Sequence, residues 1–530
     1  NNFAAMEKNL EEFSTIVVGV MGMSNNSRRN FGLKADEIAF INRLQEKHKV
    51  ITVVFGNAYS SKNFKDQNNL ILAYEENDFT ESIAPQVIFG GREGSGKLPI
   101  SQKDAWPKGH GIETNTLHRL AYSTPEAQGM SSRELMKIDT IMEKAISGKA
   151  TPGGSILVAK NGKVVFEKNY GYFDYNKAQA VDEKTLYDLA SLTKVMATTQ
   201  AIMFLNSRGI INLDDPLEKH LPELEGSNKG SITIRNILTH EAGLIPYIPH
   251  FTKTLEGNQW KTEYYSPQKS DNFPIKIAEG IYGNKALPDS VWKWTVASNL
   301  RYSGTKSTKY SYRYSDVGMY LLHRLIEKMV NQPMEDFLEQ QFYAPLGMNR
   351  FGYLPLKKFS PDQIAPTEQD NLFRKTLVQG YVHDPGAALY GGVAGHAGLF
   401  GNANDLAKMM QMMLQNGKYG TEEILDQATI EKFTNKQSFR SRRGLGWDKP
   451  DPKKDKGPTG NLASPGTFGH TGFTGTAAWA DPEHQLIYIF LSNRVYPNAG
   501  NNKLLRDNVR SDIQDIIYEA IENRFLLANK

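Results

Sequence analysis

Three continuous apolar runs bounded by polar residues mark the first hundred positions: Thr15 to Val20, Val50 to Phe55 and Leu70 to Tyr74. Runs of that kind suit strands covered on both faces. Between the first two, Ile38, Ile41 and Leu44 fall on one face of a helix predicted over Ala35 to His48. Strand, helix and strand at this spacing predict an α/β/α sandwich with a mostly parallel sheet. Gly91, Gly94 and Gly96 fit neither phosphate-binding nor dinucleotide-binding loops and are read as a turn.

From about Asp104 to Pro125 no apolar face recurs, which predicts a connector, and a different pattern follows. The expected organisation is therefore a first domain over 1–105, a linker over 106–123 and a second domain over 124–530. Ser131 and Glu134 have capping-box spacing before a stripe of Leu135, Ile138, Ile141, Met142 and Ala145. Two β-type runs, Gly154 to Lys160 and Lys163 to Asn169, flank Asn161-Gly162, the pair preferred in a two-residue hairpin turn. Leu192, Val195, Met196, Ile202, Met203 and Leu205 then recur at helical spacing until Gly209. Another helix is expected around Leu321, Leu322, Leu325 and Ile326, and a second hairpin from Phe468 through Asp481-Pro482 to Ser492. The second domain reads as α+β, with an antiparallel sheet and a helical region.

A chain of 530 residues exceeds one ordinary core. Its formal charge of +4 is small, no basic block stands out, and nucleic acid is not an expected partner. No apolar run has the length of a membrane span. The absence of cysteine excludes disulfides and thiolate metal sites. Starting at Asn1 in a helix-like stretch, the sequence is expected to be a piece of a longer protein. The compartment is left open, with an exported, periplasmic location preferred.

The candidate chemistry begins at Tyr187-Asp188-Leu189-Ala190-Ser191-Leu192-Thr193-Lys194. One helical turn brings the Lys194 amine beside the Ser191 hydroxyl, and a serine nucleophile needs such a neighbouring base. A capping serine with a solvated lysine is the alternative. Tyr314 and Asp316 place a phenol and a polar anchor on one loop, or Asp316 simply caps the helix that follows. His470-Thr471-Gly472-Phe473 leads into the second hairpin, with small residues where a substrate backbone can approach. His240 and His396 are read as structural, and His383-Asp384 lacks a second histidine at ligand spacing, so no metal is expected. Arg440, Arg442 and Arg443 offer positive charge that the sequence does not locate.

Taken in order, Ser191-Leu192-Thr193-Lys194, Tyr314-Ser315-Asp316 and His470-Thr471-Gly472 resemble the motifs of the serine β-lactamase and penicillin-binding protein superfamily, above all its class C-like members. The resemblance implies a β-lactamase/transpeptidase-like fold and acyl transfer without a cofactor. It makes Ser191 the nucleophile, and Lys194 and Tyr314 the groups that take and return its proton. Backbone amides of Ser191 and Phe473 would hold the oxyanion, with Asp316, His470, Thr471 and Gly472 lining the substrate site. Two departures stand out. Asp316 replaces the usual asparagine and favours a protonated Lys194, and His470 replaces the lysine that would hold a substrate carboxylate.

Residues 1 to about 105 resemble the C-terminal α/β domain of family 3 glycoside hydrolases, at Val54-Phe55-Gly56-Asn57-Ala58-Tyr59, Ala73-Tyr74-Glu75, Phe89-Gly90-Gly91 and Gly96-Lys97-Leu98-Pro99-Ile100-Ser101. The barrel that carries glycosidase chemistry in that family would precede Asn1, so no glycosidase activity is assigned to this chain. This pairing implies a muropeptide substrate in cell-wall recycling, cut as an N-acetylmuramoyl-L-alanine amidase or a D-Ala peptidase cuts it. A promiscuous carboxylesterase or β-lactamase and a non-catalytic ligand-binding module are the alternatives.

Overall fold

The computed structural model describes residues 3–301, 310–453 and 457–528. The chain divides into two compact units, Asn1–Ala121 and Tyr122–Lys530.

In the first unit the strands Thr15–Val20, Lys49–Val54 and Leu70–Leu72 lie side by side and parallel, with Thr15 opposite Lys49 and Thr52 opposite Leu70. The helix Ala35–Leu44 connects the first two and buries Phe40, Ile41 and Leu44. Ile16 and Val50 pack on one end of that helix, Val20 and Val54 nearer the other. The third strand is shorter than its apolar run because Tyr74 takes a left-handed backbone, φ 66°. The apolar pattern does not announce the helix Asp78–Ile88, which starts where the Asn77 side chain accepts from the amides of Phe79 and Thr80. The segment read as a connector folds back on the residues before it. Leu98 and Thr114 donate amides to His110 and Gly94, and Leu117 donates to Gly90.

The second unit is built on an antiparallel sheet in which Phe468–Thr471, Ala477–Asp481, Leu486–Ser492, Gly153–Lys160 and Lys163–Gly171 follow one another. Asn161 and Gly162 both have positive φ, 53° and 75°, as the hairpin turn requires. Every residue of Leu486–Ser492 is buried, because the sheet is covered on both faces. Trp479, Tyr488 and Phe490 pack with Ile138, Met142, Ile513 and Ile517 from the helices Lys137–Ser147 and Val509–Ala528. The helix Ala403–Leu414 packs against the three central strands.

The helical region comprises Leu287–Ala297, Val317–Val330, Met334–Leu338 and shorter pieces. The helix expected from Ser191 onward is present but not regular. Lys194–Thr198 forms one wide turn, closed by the Thr199 amide on the Lys194 carbonyl, before Thr199–Ser207 continues as α-helix. Among the described residues no helix is long and apolar enough to cross a membrane.

Candidate active site

The Ser191–Lys194 motif is held from both directions in the chain. The short strand Tyr187–Asp188 pairs antiparallel with Leu399–Gly401, and the chain then turns through Ala190, which has φ 46°. A left-handed alanine is strained and persists because its surroundings fix it. Asp188 Oδ1 accepts the Ala190 amide at 2.8 Å. Ser191 follows, half-buried, and the wide turn carries Lys194 inward to 1 % exposure.

Lys194 Nζ donates to Ser191 Oγ at 2.9 Å and to the His396 carbonyl at 3.3 Å. Tyr314 OH donates to the same Oγ at 3.0 Å, and its ring centre lies 5.1 Å from Nζ. Asp316 Oδ1 stands 2.7 Å from Nζ as its counter-ion. Although Asp316 precedes the helix Val317–Val330, its side chain makes no capping bond, so the capping alternative is not realised. The loop is steadied through Ser315, whose amide donates to His240 Nδ1 at 3.3 Å while its hydroxyl donates to the Ile245 carbonyl at 2.6 Å.

Burial alone would lower the Lys194 pKa, but the Asp316 carboxylate and the Tyr314 phenol outweigh it and hold it above the ordinary lysine value. Lys194 is therefore an ammonium at rest. Tyr314 is raised by burial, and Lys194 pulls it back more strongly than the more distant Arg443 does.

On the other side of Tyr314 lies the edge strand Phe468–Thr471. Asp448 closes that edge at Gly469, with amide-to-carbonyl bonds of 2.8 and 3.0 Å. His470 is buried, and its Nδ1–H donates to the Thr471 carbonyl at 2.7 Å, which leaves Nε2 as the bare nitrogen. Burial first, then the Arg443 guanidinium, pushes the His470 pKa down to about 3. His240, 4.7 Å from the Tyr314 ring, is pushed well below the histidine range by the same two causes. The arginines that sequence did not locate are now placed. Arg443 is buried with Nη2 at 3.1 Å from Asp448, donates Nε–H to Tyr312 OH at 3.0 Å, and lies 5.2 Å from the Tyr314 ring centre. Arg442 pairs with Asp448 at 2.7 Å and with Asp451 at 3.1 Å, and Arg440 is 3.9 Å from Glu241. The arginines beside the expected carboxylate position are thus paired with Asp448 and Asp451, while Arg443 Nη1 is buried without a partner among the described residues.

The loop after the edge strand is laced to the Tyr187–Asp188 strand and the residue after it. Thr474 Oγ1 donates to the Asp188 carbonyl at 2.7 Å, and Thr476 Oγ1 to that of Leu189 at 3.1 Å. Position 472 must be glycine, since a Cβ there would stand 2.5 Å from the Leu189 carbonyl. The Gly472 amide is taken by the Thr476 carbonyl at 2.8 Å, whereas among the described residues the amides of Ser191 and Phe473 have no partner. Thr471 is half-buried and Phe473 is 52 % exposed.

His383 Nε2 is 2.7 Å from Glu368, and His396 Nε2 is 2.9 Å from Asp384. Among the described residues no cluster is arranged to hold a metal ion. The His396 carbonyl on Lys194 and the His240 ring on Tyr314 give these two histidines places that the sequence alone left as loop structure.

A family model described as Beta-lactamase matches residues 138–509. The chain belongs to the β-lactamase family. It is a serine hydrolase of the β-lactamase/penicillin-binding protein type. The family member named N-acetylmuramyl-L-alanine amidase from Bacillus subtilis is 30 % identical over 433 residues, covering 75 % of this chain and 91 % of that protein. A putative D-alanyl-D-alanine carboxypeptidase from Escherichia coli is 31 % identical over 447 residues, covering 76 % of this chain and 94 % of its own. Among solved structures, simvastatin synthase from Aspergillus terreus superposes with a TM-score of 0.52 at 18 % identity, over 73 % of this chain and 98 % of its own, which shows the shared fold.

Proposed function

We propose that this family member cleaves an amide of a peptidoglycan fragment through an acyl-enzyme on Ser191, with the N-acetylmuramoyl-L-alanine bond as the preferred target. The observation that carries the reading is a single oxygen, Ser191 Oγ, within hydrogen-bond distance of both Lys194 Nζ and Tyr314 OH.

An ammonium cannot accept a proton, so the resting Lys194–Tyr314 pair must first lose one. Burial disfavours the Tyr314 phenolate while the Lys194 and Arg443 charges draw its pKa back, and the Lys194–Tyr314 pair titrates as a unit. The tyrosinate takes the Ser191 proton as Oγ bonds to the carbonyl carbon, while the ammonium holds its charge beside the reacting oxygen. The amides of Ser191 and Phe473 supply fixed donors for the oxyanion. Tyr314 returns the proton to the departing nitrogen, and water releases the acyl group from Ser191 by the reverse sequence.

Neutral His470, standing where the family's lysine would hold a carboxylate, favours a bond inside the substrate over one next to a free terminal carboxylate. The names of the two relatives divide along that line, and the neutral wall supports the amidase side. Residues 1–105 fit a family 3 glycoside hydrolase C-terminal domain through their parallel strands, and a glycosidase barrel acting on the same fragment would be the matching partner. Digestion of an N-acetylmuramoyl pentapeptide, followed by mass spectrometry, is expected to yield free N-acetylmuramic acid and intact peptide. Release of D-alanine alone would favour the carboxypeptidase reading, and turnover of simple esters alone the carboxylesterase one.

A further inference from the structure

Asp188 is buried to 3 % exposure, and both its carboxylate oxygens are engaged by backbone amides of different loops. Oδ1 accepts from Ala190 at 2.8 Å and Oδ2 from His383 at 2.7 Å. Its carbonyl accepts the Thr474 hydroxyl at 2.7 Å. The His383 ring stacks on Phe473, with centres 5.7 Å apart and planes 25° from parallel. One residue is thus bonded to the strained position before Ser191, to the residue after Phe473, and to the backbone of the residue whose ring lies on Phe473.

The residue type follows from that count. Two N–H donors converge on one side chain, and only a carboxylate presents two acceptor oxygens to them. Asparagine would turn an N–H₂ toward one of the amides, and serine would reach only one. Burying an ionised carboxylate is costly, and here burial raises the Asp188 pKa while the His383 amide offsets it. A chain that needed only a turn at Ala190 had cheaper choices. Charge-assisted bonds to backbone amides are also shorter and stiffer than neutral ones.

We propose that Asp188 is a positioning residue that aligns both halves of the oxyanion hole, the Ser191 amide through Ala190 and the Phe473 amide through Thr474 and His383. The assignment rests on the acyl-enzyme reading above, because it gives those two amides their task. Asp188 does not touch the substrate; it acts through the loops it joins. Its contribution belongs to the transition state, where donors must meet the oxyanion and not the ground-state carbonyl.

The test compares Asp188→Asn with Thr474→Val, which removes one hydroxyl at nearly constant volume. For Asp188→Asn, kcat is expected to fall about 100-fold with KM little changed, as misplacing donors by about 1 Å does. For Thr474→Val a loss of about 5-fold is expected, a fraction of the cost of removing a whole donor. A boronic acid that bonds to Ser191 and mimics the tetrahedral adduct should lose affinity by the same factor as kcat/KM in each variant. An uncleavable substrate analogue should bind as to wild type. Boronate affinity and kcat both unchanged in folded Asp188→Asn would overturn the assignment, as would an equal loss of boronate and analogue binding. If Asp188→Asn does not fold, Thr474→Val decides by the same two ligands. Failure of the acyl-enzyme reading looks different, since Ser191→Ala would then remain active.

Discussion

Tyr314 separates two ion pairs of the same kind that the fold uses differently. On one side Lys194 and Asp316, 2.7 Å apart, touch the Ser191 hydroxyl, and the lysine is nearly inaccessible while the aspartate is partly exposed. On the other side Arg443 and Asp448, 3.1 Å apart, are both buried behind the edge strand, and the two histidines beside them are neutral. The first pair lies against an oxygen that has a proton to give. The second touches the Tyr312 phenol instead of the Ser191 hydroxyl, and guanidinium does not release protons in the working range. A buried cation becomes chemistry only where it is both titratable and next to the reacting atom. Elsewhere it shapes the field around a phenol.

The contrast breaks outright if the first side is disarmed. Ser191→Ala is expected to lower kcat by on the order of 10⁴-fold or more, measured with the muramoyl amide. Tyr314→Phe, which keeps the ring between the two cations and deletes the proton carrier, should cost roughly 10³-fold, with folding checked by an unchanged unfolding midpoint. A Tyr314→Phe enzyme within tenfold of wild type would hand the proton to Lys194 alone. Asp316→Asn sharpens the comparison more gently. Asp316 raises the Lys194 pKa, so its removal should move the acidic limb of the kcat/KM profile to lower pH, and an unmoved limb would dissociate that pair from catalysis.

The second side predicts a flat response. An ordinary histidine gains charge near ~6.5, yet His470 is held at about 3. The inhibition constant of a peptide with a free terminal carboxylate should therefore not tighten between pH 8 and pH 5. The same shift is a stability statement. The unfolded chain takes up the His470 proton near ~6.5 and the folded chain only near 3. Its contribution is complete above ~6.5 and fades as pH falls toward 3, so replacing His470 with glutamine should flatten the fall in urea midpoint over that window.

The sequence made the three motifs legible because each is local: a helical turn spaces Ser191 and Lys194, and one short loop holds Tyr314 with Asp316. Strand and helix periods likewise exposed the parallel start of the chain and both hairpins. What stayed hidden depends on distant partners. Arg443 meets Tyr314 across more than a hundred residues, and no local pattern distinguishes it from Arg440. Asp188 stands inside the quoted motif, but its second oxygen serves His383, nearly two hundred positions on. The segment read as a connector shows no pattern for a related reason. Its residues lack periodicity because they bond one at a time to the 90–98 segment rather than through a repeating face.

The most direct measurement is intact-mass spectrometry of enzyme quenched during turnover of an N-acetylmuramoyl peptide, with peptide mapping of any adduct. A covalent acyl group on Ser191, absent from the Ser191→Ala protein, is the predicted result. Turnover with Ser191 unmodified, or undiminished in Ser191→Ala, would contradict it.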